Sequence, residues 1–146
     1  GNELDYAPHE RQIALGRLAV DSGADLVLGH HSHRINPIER YKGKYIVYSL
    51  GNFVFSGNSQ PSDMDTFIFQ QKLIVSDEGV SDGGFRVIPC SISSVTATSG
   101  KKSGENDFAA TPFEAGSAAA QRVIDTMLKN GKSLEFAVES YPTEWQ

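Results

Sequence analysis

Gly23-Ala24-Asp25-Leu26-Val27-Leu28-Gly29-His30-His31-Ser32-His33 is the stretch on which the reading of this chain turns. A short apolar run held between two glycines reads as a buried strand. The polar residues after Leu28 then stand at its carboxyl end. In layered α/β proteins that rim is where ligands bind, because the backbone fans out there into loops held by a rigid sheet. Three of the four histidines in the chain fall on this one loop. A neutral imidazole offers one ring nitrogen to a metal while a hydrogen bond fixes the other. If the loop is extended, residues two apart share a face, so His31 and His33 converge on one ion and His30 faces the other way. The same spacing also describes a surface loop that binds nothing, since two ligands alone seldom complete a site. No third or fourth ligand is evident elsewhere, and both readings stay open on spacing alone.

Working outward, residues 8–22 place Ile13, Leu15, Leu18, Ala19 and Val20 at helical spacing, with Pro8 at the start and Gly23 at the end. Helix, glycine, apolar strand and polar loop form one αβ unit of a layered domain. Ile35 to Tyr41 and Lys44 to Leu50 read as strands of a hairpin turning at Lys42-Gly43. Both faces of the second strand carry bulk, so it is expected to be covered on both sides. Ser49-Leu50-Gly51-Asn52-Phe53-Val54-Phe55 reads as an apolar strand interrupted by Gly-Asn. That interruption marks either a bulge near something else or a turn in which Asn52 bonds its own backbone.

Beyond a polar loop over 56–65, Thr66 to Val75 and Val80 to Val95 read as further strands, with Pro89 at an edge or bend. Residues 96–113 are Gly/Ser-rich and read as a mobile linker. Gly100-Lys101-Lys102-Ser103 lacks the earlier glycine and the strand of a phosphate loop. Glu114 to Lys129 is the second main helix, with Val123, Ile124, Met127 and Leu128 on its apolar stripe. Leu134 to Val138 is a last strand or a helical turn. Asp77, Glu78 and Asp82 read as a solvated acidic turn rather than a cation site. The expected organisation is one incomplete domain over 1–146, with a core over 1–95, the linker, and a C-terminal helix and tail over 114–146.

Bulk properties narrow the function. At 146 residues, 39% hydrophobic and 21% charged, the chain has the composition of one globular domain. A net charge of -5 and the absence of any basic run argue against nucleic acid as a partner. The single cysteine, Cys90, excludes a disulfide within the chain and reads as a small buried hydrophobe. No apolar run reaches the length of a membrane span. The start at Gly1, without methionine, suggests a piece of something longer, whose signal or anchor would not be visible here.

Gly1-Asn2-Glu3, Pro8 and Gln12, the glycine-bounded strand with its histidines, and Tyr48-Ser49-Leu50-Gly51-Asn52-Phe53-Val54-Phe55 together resemble the bacterial capsule-synthesis family of CapA and PgsA type. That family is tied to poly-γ-glutamate production and is similar in fold to calcineurin-like metallophosphoesterases. The resemblance covers residues 1–55 and is loose beyond 60. It implies the C-terminal half of an α/β/β/α sandwich, with a mixed, mostly antiparallel sheet and two main helices. It implies that His31 and His33 match paired metal-site histidines, and that Glu3 and Asn52 belong to motifs near the same cleft. The phosphoesterase pattern has glycine next to the first paired histidine, where this chain has His30. The family commonly has proline where this chain has Ser32, a change expected to loosen the loop.

On this resemblance the whole protein is expected to carry a metal-dependent phosphoesterase-like domain, with two divalent ions of Mn, Fe or Zn. His31 and His33 would be ligands, and His30, Glu3 and Asn52 supporting or substrate-positioning groups. This chain alone is expected to be inactive and its metal site incomplete. The expected setting is extracytoplasmic, at the cell envelope beside polymer synthase subunits, with a homodimer possible through surface left exposed. Two alternatives stand: a non-catalytic assembly module that keeps the fold without the metal chemistry, and an unrelated α/β domain with an idle histidine loop.

Overall fold

The first helix, α1 (Glu10–Asp21), starts where His9 is extended and the chain closes a reciprocal cap. The His9 N–H donates to Gln12 Oε1 at 2.9 Å, and the Arg11 N–H donates to His9 Nδ1 at 3.3 Å. It ends at Ser22, after which Gly23 takes φ 101. A computed structural model describes residues 1–145 of the chain. After α1 come β1 (Leu26–Leu28), β2 (Ile38–Tyr41), β3 (Lys44–Val47), β4 (Asp65–Ser76) and β5 (Gly79–Ser91). The short helix α2 (Ser94–Ser99), β6 (Thr111–Pro112) and α3 (Ala118–Gly131) complete the order.

Two three-stranded sheets result, in the orders β1-β3-β2 and β4-β5-β6. In the first, β1 runs parallel to β3 and β2 antiparallel to it. The β2–β3 hairpin turns through Lys42 (φ 49) and Gly43 (φ 79), the doubly positive turn whose twist matches its strands. β3 is buried on both faces, as expected. Tyr45 and Val47 pack with Phe67, Val87 and the α3 residues Val123, Ile124 and Met127. Ile46 pairs instead with Val20 of α1 and with Tyr48 and Leu134. The first sheet therefore lies between α1 on one side and the second sheet with α3 on the other, a mixed α/β sandwich with two main helices.

Sequence and structure differ in five places. Residues 49–55 form bends rather than a strand; only Leu50 bridges, to Ile35. Gly51, at φ 81 and packed against the Asp65 carbonyl and Ile35, turns the chain out of the sheet. Residues 134–138 make a single bridge, Ala137 to Glu39. Pro89 lies inside β5 opposite Phe67. Its carbonyl accepts from Phe113 on the side where β6 has already ended, so its missing N–H leaves no ladder bond broken. Finally, the stretch read as a linker carries most of α2, all of β6, and the buried residues Thr96, Asn106 and Phe113. The buried anchors there are mainly polar and hydrogen-bonded, which hydrophobic periodicity does not register. α3 begins four residues later than expected, because the Ser117 hydroxyl accepts from the Ala120 N–H at 3.2 Å and caps it.

Candidate functional site

Past the end of β1, the Gly29 N–H donates to the Val47 carbonyl at 2.7 Å, so the loop leaves the sheet pressed against β3. A Cβ at position 29 would stand 2.4 Å from the Tyr48 carbonyl oxygen, so only glycine fits. The loop then turns sharply. His31 (φ 89) and His33 (φ 56) both occupy the left-handed region, at a cost of roughly 1–2 kcal/mol for each non-glycine residue. The extended alternation assumed from sequence therefore does not hold. His30, His31 and His33 all line one cleft, whose other wall is Gly51 to Phe55. His30 borders both this cleft and an apolar hollow between α1 and the first sheet.

Two buried side chains hold the bent loop. Ser32 is 1% exposed; its hydroxyl donates to the Arg34 carbonyl at 2.8 Å and accepts from the Arg34 N–H at 3.3 Å. These bonds stand in for backbone pairing that the turn lacks. Arg34 donates from Nη1 to the His33 carbonyl at 2.8 Å and from Nη2 to Ser62 Oγ at 2.7 Å. Bonds of this kind contribute about 0.5–1.5 kcal/mol each, comparable to the backbone strain they oppose.

Within the cleft, His33 Nδ1 lies 2.7 Å from Asn52 Oδ1. An amide oxygen only accepts, so Nδ1 carries the proton and the Nε2 lone pair is left free. The His33 ring also leans on Phe55, with centroids 4.9 Å apart. Asn52 is buried and spends its oxygen on His33, not on its own turn. His31 Nε2 donates to the Gly1 carbonyl at 3.1 Å, which leaves its Nδ1 lone pair free. Glu3 is exposed. It reaches the region only through its neighbour Leu4, whose N–H donates to the Ser32 carbonyl at 2.7 Å. Among the described residues the Glu3 carboxylate bonds to nothing, and Leu4 rather than Glu3 lines the adjoining cleft with His33, Arg34 and Asn52.

Sequence reasoning did not find the charged cluster beneath the loop. Asp63, 3% exposed, accepts from the Tyr6 phenol, lies 3.2 Å from Lys102 Nζ and faces Arg34 Nε at 3.9 Å. Burial, and then the bond to Asp63, push the Tyr6 phenol up from its ordinary value. Tyr6 and Asp63 are 57 residues apart in sequence and Tyr6 and Lys102 are 96 apart, so no local pattern announces them. Asp82, grouped from sequence with Asp77 and Glu78, serves a different end. It binds Arg40, Tyr45 and Gln71 and ties the two sheets together.

The donor chemistry fits part of a metal site. In their neutral form the two imidazoles would each keep one lone pair, one of them with its proton fixed by an amide oxygen, which is how proteins orient metal-binding histidines. Among the described residues no group of three or more His, Cys, Asp or Glu side chains is placed to surround an ion. The pair is therefore an incomplete donor set.

Comparison with known proteins bears on the same residues. Positions 1–57, which include every histidine of the cleft and Asn52, match the family described as bacterial capsule synthesis protein PGA_cap. The chain is 40% identical over 102 residues to the PGA biosynthesis protein CapA of Bacillus subtilis (strain 168), covering 70% of this chain and 26% of that protein. It is 51% identical over 55 residues to the capsule biosynthesis protein CapA of Bacillus anthracis, covering 38% of this chain and 13% of that one. A probable polyglutamine synthesis accessory protein of Mycobacterium tuberculosis is 41% identical over 54 residues, 37% of this chain and 14% of its own length. No solved structure matches. Through residues 1–57 the chain belongs to the bacterial capsule synthesis family, and it spans only about a quarter or less of the length of these relatives.

Proposed function

We propose that the histidine cleft is part of a metal-dependent phosphoesterase-like centre in a protein of capsule or poly-γ-glutamate synthesis, with His31 and His33 as metal ligands. The observation that carries this reading is the His33 Nδ1–H to Asn52 Oδ1 bond, which leaves Nε2 of the neutral ring as a bare donor in an open cleft. Zinc, iron or manganese would supply Lewis acidity and hydroxide at neutral pH. Asn52 fixes the His33 tautomer. His30, exposed and lining the same cleft, would exchange a proton with a bound ester, and Glu3, joined to the loop through the Leu4 N–H bond to the Ser32 carbonyl, would orient one from outside the cleft lining. The remaining ligands come from outside these residues, so the chain alone is inactive. The setting we infer is the cell envelope, beside the subunits of a polymer synthase.

A second reading, an assembly module without catalysis, draws support from the incomplete donor set and from the name of the mycobacterial relative, an accessory protein of polyglutamine synthesis. The test is metal content and hydrolysis of p-nitrophenyl phosphate and bis(p-nitrophenyl) phosphate by the full-length polypeptide, beside its His31→Ala/His33→Ala variant. About two ions per chain, with hydrolysis lost in the variant, is the expected result. A metal-free, inactive protein that still supports polymer synthesis after both substitutions overturns it in favour of the second reading.

A further inference from the structure

We propose that Arg34 is the positioning residue for His33, holding its imidazole on Asn52 through the backbone. His33 sits at φ 56, where no strand ladder fixes the direction of its carbonyl. The donor to that carbonyl is Arg34 Nη1, at 2.8 Å. The guanidinium is itself immobilised: Nη2 donates to Ser62 Oγ at 2.7 Å, Nε faces Asp63 at 3.9 Å, and the Tyr6 ring lies 5.7 Å from its central carbon. The side chain is only 7% exposed. Arg34 thus ties the His33 peptide to the loop before β4, while the His33 ring reaches Asn52 on a different segment, 19 residues on. Rotation of the His33 peptide would swing the ring off Asn52 and release both tautomers. A planar fork with several donors can bridge a carbonyl, a hydroxyl and a carboxylate at once; an ammonium keeps the charge but not the bridge.

The role assigned to Arg34 gains its purpose from the reading of His33 as a ligand, so the test separates the two. In the metal-free 146-residue chain, labelled with ¹⁵N-histidine and held where imidazoles are neutral, His33 should show the single Nδ1–H pattern. Arg34→Lys should give a mixture of tautomers at His33, with the His9 pattern unchanged. Ser62→Ala, which removes one anchor and no charge, should shift His33 in the same direction by less. Zinc affinity should fall about tenfold to a hundredfold in Arg34→Lys. A folded Arg34→Lys chain with the wild-type His33 pattern overturns the proposal. If Arg34→Lys does not fold, an unaltered His33 in Ser62→Ala overturns it. Altered tautomers with unaltered zinc binding support the positioning by Arg34 and sink the ligand role of His33 instead.

Discussion

His33 and Cys90 show how far a single side chain is determined by what lies against it. Cys90 sits in β5 at 1% exposure, and burial pushes its thiol up to about 11. The nucleophile is the thiolate, so the folded chain should resist iodoacetamide at mildly alkaline pH and react fully in denaturant, read by mass spectrometry. Labelling of the native protein at the rate of a free thiol would contradict this burial. The inert character of Cys90 was legible from its apolar neighbours. The histidine cluster was equally legible as a cluster, because it is contiguous in sequence. Its geometry was not, since two left-handed residues in three undo the alternation that an extended segment would impose. Arg34, Asp63, Lys102 and Tyr6 could not be found, because each acquires its role only from residues distant in the chain.

At the level of elements, the histidine loop depends on how closely β1 approaches β3. The Cβ of a Gly29→Ala substitution would meet the Tyr48 carbonyl, a backbone atom that cannot move without moving β3. The substitution should cost about 1–3 kcal/mol, measured as a lowered urea midpoint with unchanged slope. A wild-type midpoint would mean that the loop does not leave the sheet as described. Both main helices and both hairpins were legible from periodicity and turn chemistry. Residues 49–55 were not: an apolar run walling a cleft has the composition of a strand, and only Gly51 hinted at the departure. α2 escaped notice because it buries just Thr96 of its six residues.

Across the whole molecule, α3 is joined to the second sheet by Arg122, which grips Asp65 with Nε at 2.8 Å and Nη2 at 2.7 Å and also donates from Nη1 to the Gly100 carbonyl at 2.8 Å. Asp65 is 4% exposed, and burial raises its pKa above 3.8 although Arg122 opposes the shift. Arg122→Met leaves that carboxylate unpaired. The loss should be up to about 3 kcal/mol near neutral pH, the low end for a broken buried pair because Arg122 keeps 30% exposure. Without its partner, Asp65 is raised further. A raised carboxyl favours the fold below its unfolded value and opposes it as pH climbs through the folded value. The deficit of the variant should therefore shrink as pH falls towards about 4, checked by urea unfolding across that range; a deficit independent of pH would remove Asp65 from the explanation. One contact bears on how any such experiment is prepared. Because the Gly1 carbonyl receives the His31 ring, whatever is fused ahead of Gly1 emerges beside the cleft. A polyhistidine tag there would lend the site imidazoles of its own and counterfeit the ligands being counted. A fluorophore in the same place would report what enters.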